Sequence, residues 1–330
     1  MSVSTRFEID GHPIQHISSP TGRSGFEGVA FSPSGTMAIA AAYANEVRLY
    51  RPKQDGKFEE EPFWCMGKGQ LTLDFPHDVA FSTGSGKEFL AIAERRGVIT
   101  IYEKNDADGG FGSEPVFTIG GPQSQLSFTD GVAFVPPDDG YLAACNAETG
   151  TITFYRRTSL EPLRFETVPE FVLKDATTLR PDGIGFSACG TWLVSANHSS
   201  HCYSIFKRRS RMLSGGKLKY GPRPAAVVDD PELRHPHSAV FTPGACNLLG
   251  TNAGANFFGA YELRKGLFGT KWSKWPMTRI TTNTEEAFRA VNSQISQEGG
   301  PKGIAACKDR IAVCSPEFGV KIYAFRERPH

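Results

Sequence analysis

The stretch GVAFSPSGTMAIAAAYANEVRLY, residues 28–50, decides how this chain is read. It opens with a short apolar run ending at Phe31, breaks at Ser-Pro-Ser-Gly, returns as a second apolar run, and closes on an alternating segment ending at Tyr50. Ser, Pro and Gly supply the backbone dihedrals of a tight hairpin, and the apolar runs carry residues that suit buried strands. The local expectation is strand, turn, strand, loop, strand.

Outward from this stretch the pattern recurs with a period of roughly 50 to 55 residues. The further copies are DVAFSTGSGKEFLAIAERRGVITIY at Asp78, GVAFVPPDDGYLAACNAETGTITFY at Gly131, GIGFSACGTWLVSANHSSHCYSIF at Gly183, SAVFTPGACNLLGTNAGANFFGAY at Ser238 and GIAACKDRIAVCSPEFGVKIY at Gly303. The first strands end at Phe31, Phe81, Phe134, Phe186, Phe241 and Ala306, and the third at Tyr50, Tyr102, Tyr155, Phe206, Tyr261 and Tyr323. Intervening segments such as FEEEPFWCMG and SEPVFTIGG read as outer strands. Repetition of this unit predicts an all-β fold, a six-bladed β-propeller of four-stranded blades spanning residues 1–330 as a single domain.

The two ends of the repeat array complement each other. Only seven residues follow Tyr323, too few for a turn and an outer strand, whereas RFEIDGHPIQHIS, residues 6–18, is surplus at the start. Pairing residues 1–18 beside the third strand of the last blade closes the ring and removes an exposed sheet edge. The step from Ser238 to Gly303 is longer than the others, so about 262–300 is expected to hold an insertion over the channel face. Asn283 and Glu286 have capping-box spacing, Phe288, Val291 and Ile295 recur at helical intervals, and Gly299-Gly300 ends the run, predicting a helix from about Thr284 to Gln297.

Composition limits the function classes. Lys plus Arg number 36 against 35 Asp plus Glu, so no whole-molecule field draws the chain to nucleic acid or an anionic membrane. The run Lys207, Arg208, Arg209, Arg211 reads as a solvated turn without an aromatic stacking platform. No secretory signal opens the sequence, and no run reaches the roughly 20 apolar residues of a bilayer span, so a cytoplasmic address is expected. Seven cysteines without a CxxC pair fit reduced thiols, with Cys145, Cys307 and Cys314 as small hydrophobes in apolar strands. Without a Gly-x-Ser-x-Gly elbow, a serine hydrolase of that type is not expected.

The Glu27-Gly28, Asp130-Gly131 and Asp182-Gly183 dipeptides open inner strands in a way that resembles the gluconolactonase and diisopropyl-fluorophosphatase superfamily of six-bladed propellers. The likeness to WD-repeat and NHL-type blades is weaker, since the Gly-His and Trp-Asp signatures of the former are missing. The superfamily resemblance implies hydrolysis of an ester or lactone at the channel mouth, with a calcium ion held by acidic and amide side chains. His77-Asp78, His237-Ser238 and Lys302-Gly303 depart from its pattern.

Aligning the repeats places one ring of residues before the inner strands, Glu27, His77, Asp130, Asp182, His237 and Lys302, and a second at the ends of the second strands, Ala41, Glu94, Asn146, Asn197, Asn252 and Ser315. Four carboxylates against Lys302 leave a formal charge of −3. Two like charges about 6 Å apart at a dielectric near 20 repel by roughly 3 kcal/mol, which calls for protonated imidazoles, Arg95 and Arg96, a metal, or full solvation. The expected metal ligands are Glu27, Asp130, Asp182 and Asn197, holding calcium or, if an imidazole joins, zinc, manganese or iron. His77, His237 and Lys302 are the expected catalytic residues, as base and as electrostatic stabiliser, and Glu94, Asn146 and Asn252 the expected substrate-binding residues. An ion-free version of the same ring suits lyase, isomerase or cyclase chemistry. His198 and His201 read as a polar loop. The competing class is a non-catalytic scaffold that binds a protein partner through an apolar patch around Trp272 and Trp275.

Overall fold

The computed structural model describes residues 5–18, 25–67, 73–84, 86–105, 107–209, 217–244, 247–266, 269–292 and 297–329. Phe26–Phe31, Met37–Ala41, Glu46–Tyr50 and Trp64–Met66 form a four-stranded antiparallel blade in sequence order, innermost strand first. The inner strands of the next four blades are Pro76–Phe81, Thr129–Phe134, Pro181–Phe186 and Pro236–Phe241, and that of the sixth is Ile304–Cys307. Each inner strand contacts the inner strands on either side, and the last contacts the first. The fold is the six-bladed propeller expected from the repeat.

Closure runs through the N-terminus. Gln15–Ile17 pairs with Gly319–Pro329 as the outer strand of the sixth blade, and Thr5–Ile9 pairs farther along the same partner. The single expected closing strand is thus two, interrupted around Gly11 and Pro13, where proline has no N–H to give a ladder. Gln15 also ties the sixth blade to the first: its Nε2 donates to the Phe58 carbonyl at 2.9 Å, and Phe58 N donates back to Oε1 at 2.8 Å.

The blades are two-sided, which explains their near-continuous apolar runs. In Met37–Ala41, Met37, Ile39 and Ala41 pack toward the sixth blade while Ala38 and Ala40 pack toward the second. Six such buried clusters fill the interfaces between adjacent blades, and the aromatic residues ending the third strands are buried in them. The central channel, about 240 Å³, is apolar along most of its wall, with Val29, Val79, Val132, Ile184, Val240 and Ile304 facing it.

Within 262–300, Gly269–Trp272 folds back antiparallel on the far end of the long third strand Phe257–Gly266 of the fifth blade, and Thr278–Thr281 is that blade's outer strand. A helix follows at Glu285–Asn292, shorter than expected at the described end; Ile295 lies outside the described residues, as does Arg211 of the basic run. The cap is Thr284, not Asn283: Thr284 Oγ1 accepts from Ala287 N at 3.2 Å, while Asn283 Oδ1 accepts from Thr284 N. Among the described residues no helix is long and apolar enough to cross a membrane.

Candidate functional site

One local device builds the site five times. In blades one to four the pairing between first and second strands slips by one residue at Glu27, His77, Asp130 and Asp182, and in the fifth at His237 and Ser238. A β-bulge of this kind re-aims a side chain. The glycine that follows a ring residue has a packing role. A Cβ on Gly28 would lie 2.7 Å from the His77 carbonyl, and one on Gly131 would lie 2.5 Å from the Asp182 carbonyl, so the acidic-Gly dipeptide lets neighbouring inner strands approach around the axis. The motif that carried the family resemblance therefore has a structural cause of its own.

All six residues of the first ring converge and none is more than 4% exposed. Lys302 Nζ lies 3.0 Å from Glu27 Oε2 and 3.2 Å from Oε1. His237 Nε2 is 3.2 Å from Glu27 Oε2 and 3.7 Å from Asp182 Oδ1. The His77 Nδ1 contact to the Asp130 carbonyl at 2.8 Å places the proton on that nitrogen, and its ring stacks on His237 with centroids 5.0 Å apart. Glu27, His77, Asp130, Asp182 and His237, with Asp78 and Ser238, line a cavity of about 10 Å³, room for one water-sized sphere. Glu27 Oε2, Asp130 Oδ2 and Asp182 Oδ1 have no aligned hydrogen bond, although the first lies close to Lys302.

The second ring is divided in purpose. Glu94 Oε2 accepts from Asp74 N at 2.8 Å, Asn146 Oδ1 from Ser127 N at 3.1 Å and Asn252 Oδ1 from Arg234 N at 3.2 Å. In each case the donor stands three residues before a first-ring residue, so these side chains anchor the loop that delivers it. Asn197 bonds to Ser195, Cys202 and Ser204 of its own blade. All four are fully buried, and none of their hydrogen bonds is to a first-ring side chain. Repeat alignment identified their position but not their direction.

Three further residues complete the site, of which only Arg95 was expected, with Arg96, as a counter-charge to the ring. Arg95, the residue after Glu94, donates from Nε to Asp130 Oδ1 at 2.7 Å and reaches His77 Nε2 with Nη2 at 2.8 Å. Glu298, beyond the helix, receives Lys302 Nζ at 3.1 Å and lies 2.9 Å from His198 Nε2. His198 stacks on His235 at 4.4 Å, so the loop read as merely polar belongs to the mouth. An acid four residues before Lys302 was the one sequence cue to Glu298. Trp272 is buried against Phe241, leaving Trp275 exposed near Met277 without it.

No protein-family model matches the sequence, and no curated protein matches it. Among solved structures, the chain is similar to a functionally unknown protein from Desulfotomaculum acetoxidans, with a TM-score of 0.54 over 92% of this chain and 90% of that one. At 10% identity, the likeness is one of fold alone.

The electrostatics follow from burial and from the two fixed cations. Burial pushes Glu27 up, but Lys302 and the nearby imidazoles of His237 and His77 outweigh it and hold this carboxyl well below its usual range. Burial and then Asp130 drive Asp182 well above the carboxylate range, while burial, countered by Arg95, leaves Asp130 at about 6. Burial holds His237 down at about 4, and burial with Arg95 holds His77 well below its usual value, so both imidazoles are neutral at pH 7. With neutral imidazoles, the four carboxylates Glu27, Asp130, Asp182 and Glu298 against Lys302 and Arg95 give a formal charge of −2 when all are ionised.

Proposed function

We propose that this chain is a small-molecule enzyme whose active site is the first ring, and that it hydrolyses ester or lactone bonds with a divalent cation held among the ring side chains. The observation that carries this reading is the trio of carboxylate oxygens, on Glu27, Asp130 and Asp182, that lack aligned partners in residues at most 3% exposed. Glu27 and Asp130 have ion-pair partners in Lys302 and Arg95, yet burying carboxylate oxygens that no donor satisfies opposes folding, and apolar residues of similar volume would serve the blades at least as well. With all four carboxylates ionised the site would carry −2, the charge that one divalent cation neutralises, and such a cation would favour the ionised form of Asp182 that burial opposes.

The donor set suits such an ion. Glu27, His77 and His237 each offer a ligand atom within 4.8 Å of the others. Two imidazoles favour zinc, manganese or iron over calcium, and the amide oxygens a calcium site would draw on are committed to backbone N–H groups at Asn146 and Asn252. Glu27, His77 and His237 would hold the ion, with Arg95 yielding its contact to His77 Nε2 while keeping its bond to Asp130. When bound, the ion would supply Lewis-acid polarisation of a carbonyl oxygen. In its ionised form Asp182 would take a proton from water through Oδ1 as the water oxygen adds to the carbonyl carbon, and return it to the departing alcohol. Lys302, fixed between Glu27 and Glu298, stabilises the developing oxyanion.

The test is to load dialysed protein with zinc, manganese or calcium and measure bound metal, melting temperature and hydrolysis of a panel of small esters and lactones. Retention of zinc or manganese, a melting temperature that falls on chelation, and turnover lost in Asp182→Ala are expected. Protein that retains no ion and hydrolyses nothing on the panel refutes the reading.

A further inference from the structure

The loops entering the first ring repeat a strained conformation. Two residues before the ring residue, Gly25, Phe75, Phe128, Arg180 and His235 have φ of 63°, 53°, 49°, 52° and 53°. Each gives its carbonyl to the N–H of the residue after the second strand. This left-handed conformation is costly for any residue with a Cβ and belongs to glycine by default; for a bulky side chain it is an outlier. The first blade uses glycine there. The second and third use phenylalanine.

What the two phenylalanines obtain is a clamped guanidinium. Arg95 Cζ lies 4.7 Å from the centroid of Phe75 and 4.7 Å from that of Phe128. Nε is held by Asp130 and, where no ion takes up His77 Nε2, Nη2 is held by His77, so hydrogen bonds along one edge add to the two ring contacts. Nη1 makes no hydrogen bond to any described residue. Phe128 is 38% exposed, so an apolar ring stands at the mouth beside this donor, and exposed Arg180 adds positive charge on the neighbouring loop. A preorganised guanidinium loses little freedom on binding a planar carboxylate, for which its donors are matched.

We propose that Arg95 is the substrate anchor of the ring: it binds the carboxylate of a small molecule whose planar apolar part lies against Phe128, and Phe75 and Phe128 are positioning residues that hold Arg95 for this purpose. The inference rests on the reading of the ring as an active site, but binding is measured without turnover. The molecule acted on is accordingly an ester or lactone that carries an aromatic or similarly flat carboxylic acid.

The experiment is calorimetric titration of the full chain with benzoate, acetate and inorganic phosphate, in the wild type, Phe128→Gly and Arg95→Lys. Benzoate is expected to bind about tenfold more tightly than acetate, and Arg95→Lys to weaken both about tenfold. Phe128→Gly should abolish the preference for benzoate without lowering the melting temperature, because glycine suits φ of 49°. Absence of benzoate binding, a preference unchanged in Phe128→Gly, or phosphate binding more tightly than acetate overturns the proposal. Benzoate bound in this way by a protein with no hydrolase activity would uphold the anchor and refute the hydrolytic chemistry instead.

Discussion

Ile17→Ala tests how the ring is closed. Ile17 pairs with Val320 in the outer strand of the sixth blade, is 3% exposed, and packs in the cluster joining the sixth blade to the first. Truncating a buried isoleucine costs about 2–5 kcal/mol, the range reflecting how far neighbours collapse into the cavity. Unfolding entropy of about 2.1 cal/mol/K per residue comes to roughly 0.7 kcal/mol/K for a chain of this length, so the melting temperature should fall by about 3–7 °C. His12, exposed in the turn between the two closing strands, serves as the control, and His12→Ala should change stability by less than about 0.5 kcal/mol. Scanning calorimetry measures both. Removing residues 1–18 leaves the edge of Gly319–Pro329 unpaired, and the truncated protein should self-associate with concentration in sedimentation experiments. An Ile17→Ala melting temperature within 1 °C of wild type, with a truncated protein that stays monomeric and equally stable, refutes the closure argument.

The ring carboxylates should differ in what they do for the fold. Asp182→Ala removes an oxygen without an aligned partner and should leave the melting temperature unchanged or raised, whereas Asp130→Ala strands Arg95 and should cost about 2 kcal/mol in denaturant titration. Glu298 is held below its ordinary value: burial raises it, but His198 and Lys302 prevail. A depressed carboxyl stabilises the fold above its unfolded pKa of about 4.3 and loses that contribution as pH falls toward its folded value, so Glu298→Gln should be less stable than wild type at pH 7 and approach it in acid. The thiols of Cys145, Cys202 and Cys314 are buried and pushed up by burial, while Cys65 and Cys189 are exposed. Peptide mapping after a short pulse of iodoacetamide should find label on Cys65 and Cys189 well before the other three.

The blades were legible because their causes are local. Alternating or continuous apolar runs, turn residues at fixed offsets and a constant period read the same in any context, and repetition then sets the number of blades. Equivalent positions in a cyclic repeat must fall at equivalent places around one axis, which is why aligning Glu27, His77, Asp130, Asp182, His237 and Lys302 found a ring. Side-chain direction within that frame was decided by tertiary structure. Glu94, Asn146 and Asn252 turn back to hold backbone N–H groups, because the bulged loops leave those donors unpaired next to them. Glu298 comes from outside the repeat, and Arg95 is aimed by phenylalanines of two different blades, so neither has a counterpart that alignment would reveal. The sequence alone placed the six first-ring residues at the channel mouth; the fold decided that Glu298 and His198 join them, which groups are paired and which carboxylate oxygens lack an aligned donor, since pairing depends on distances between strands far apart along the chain.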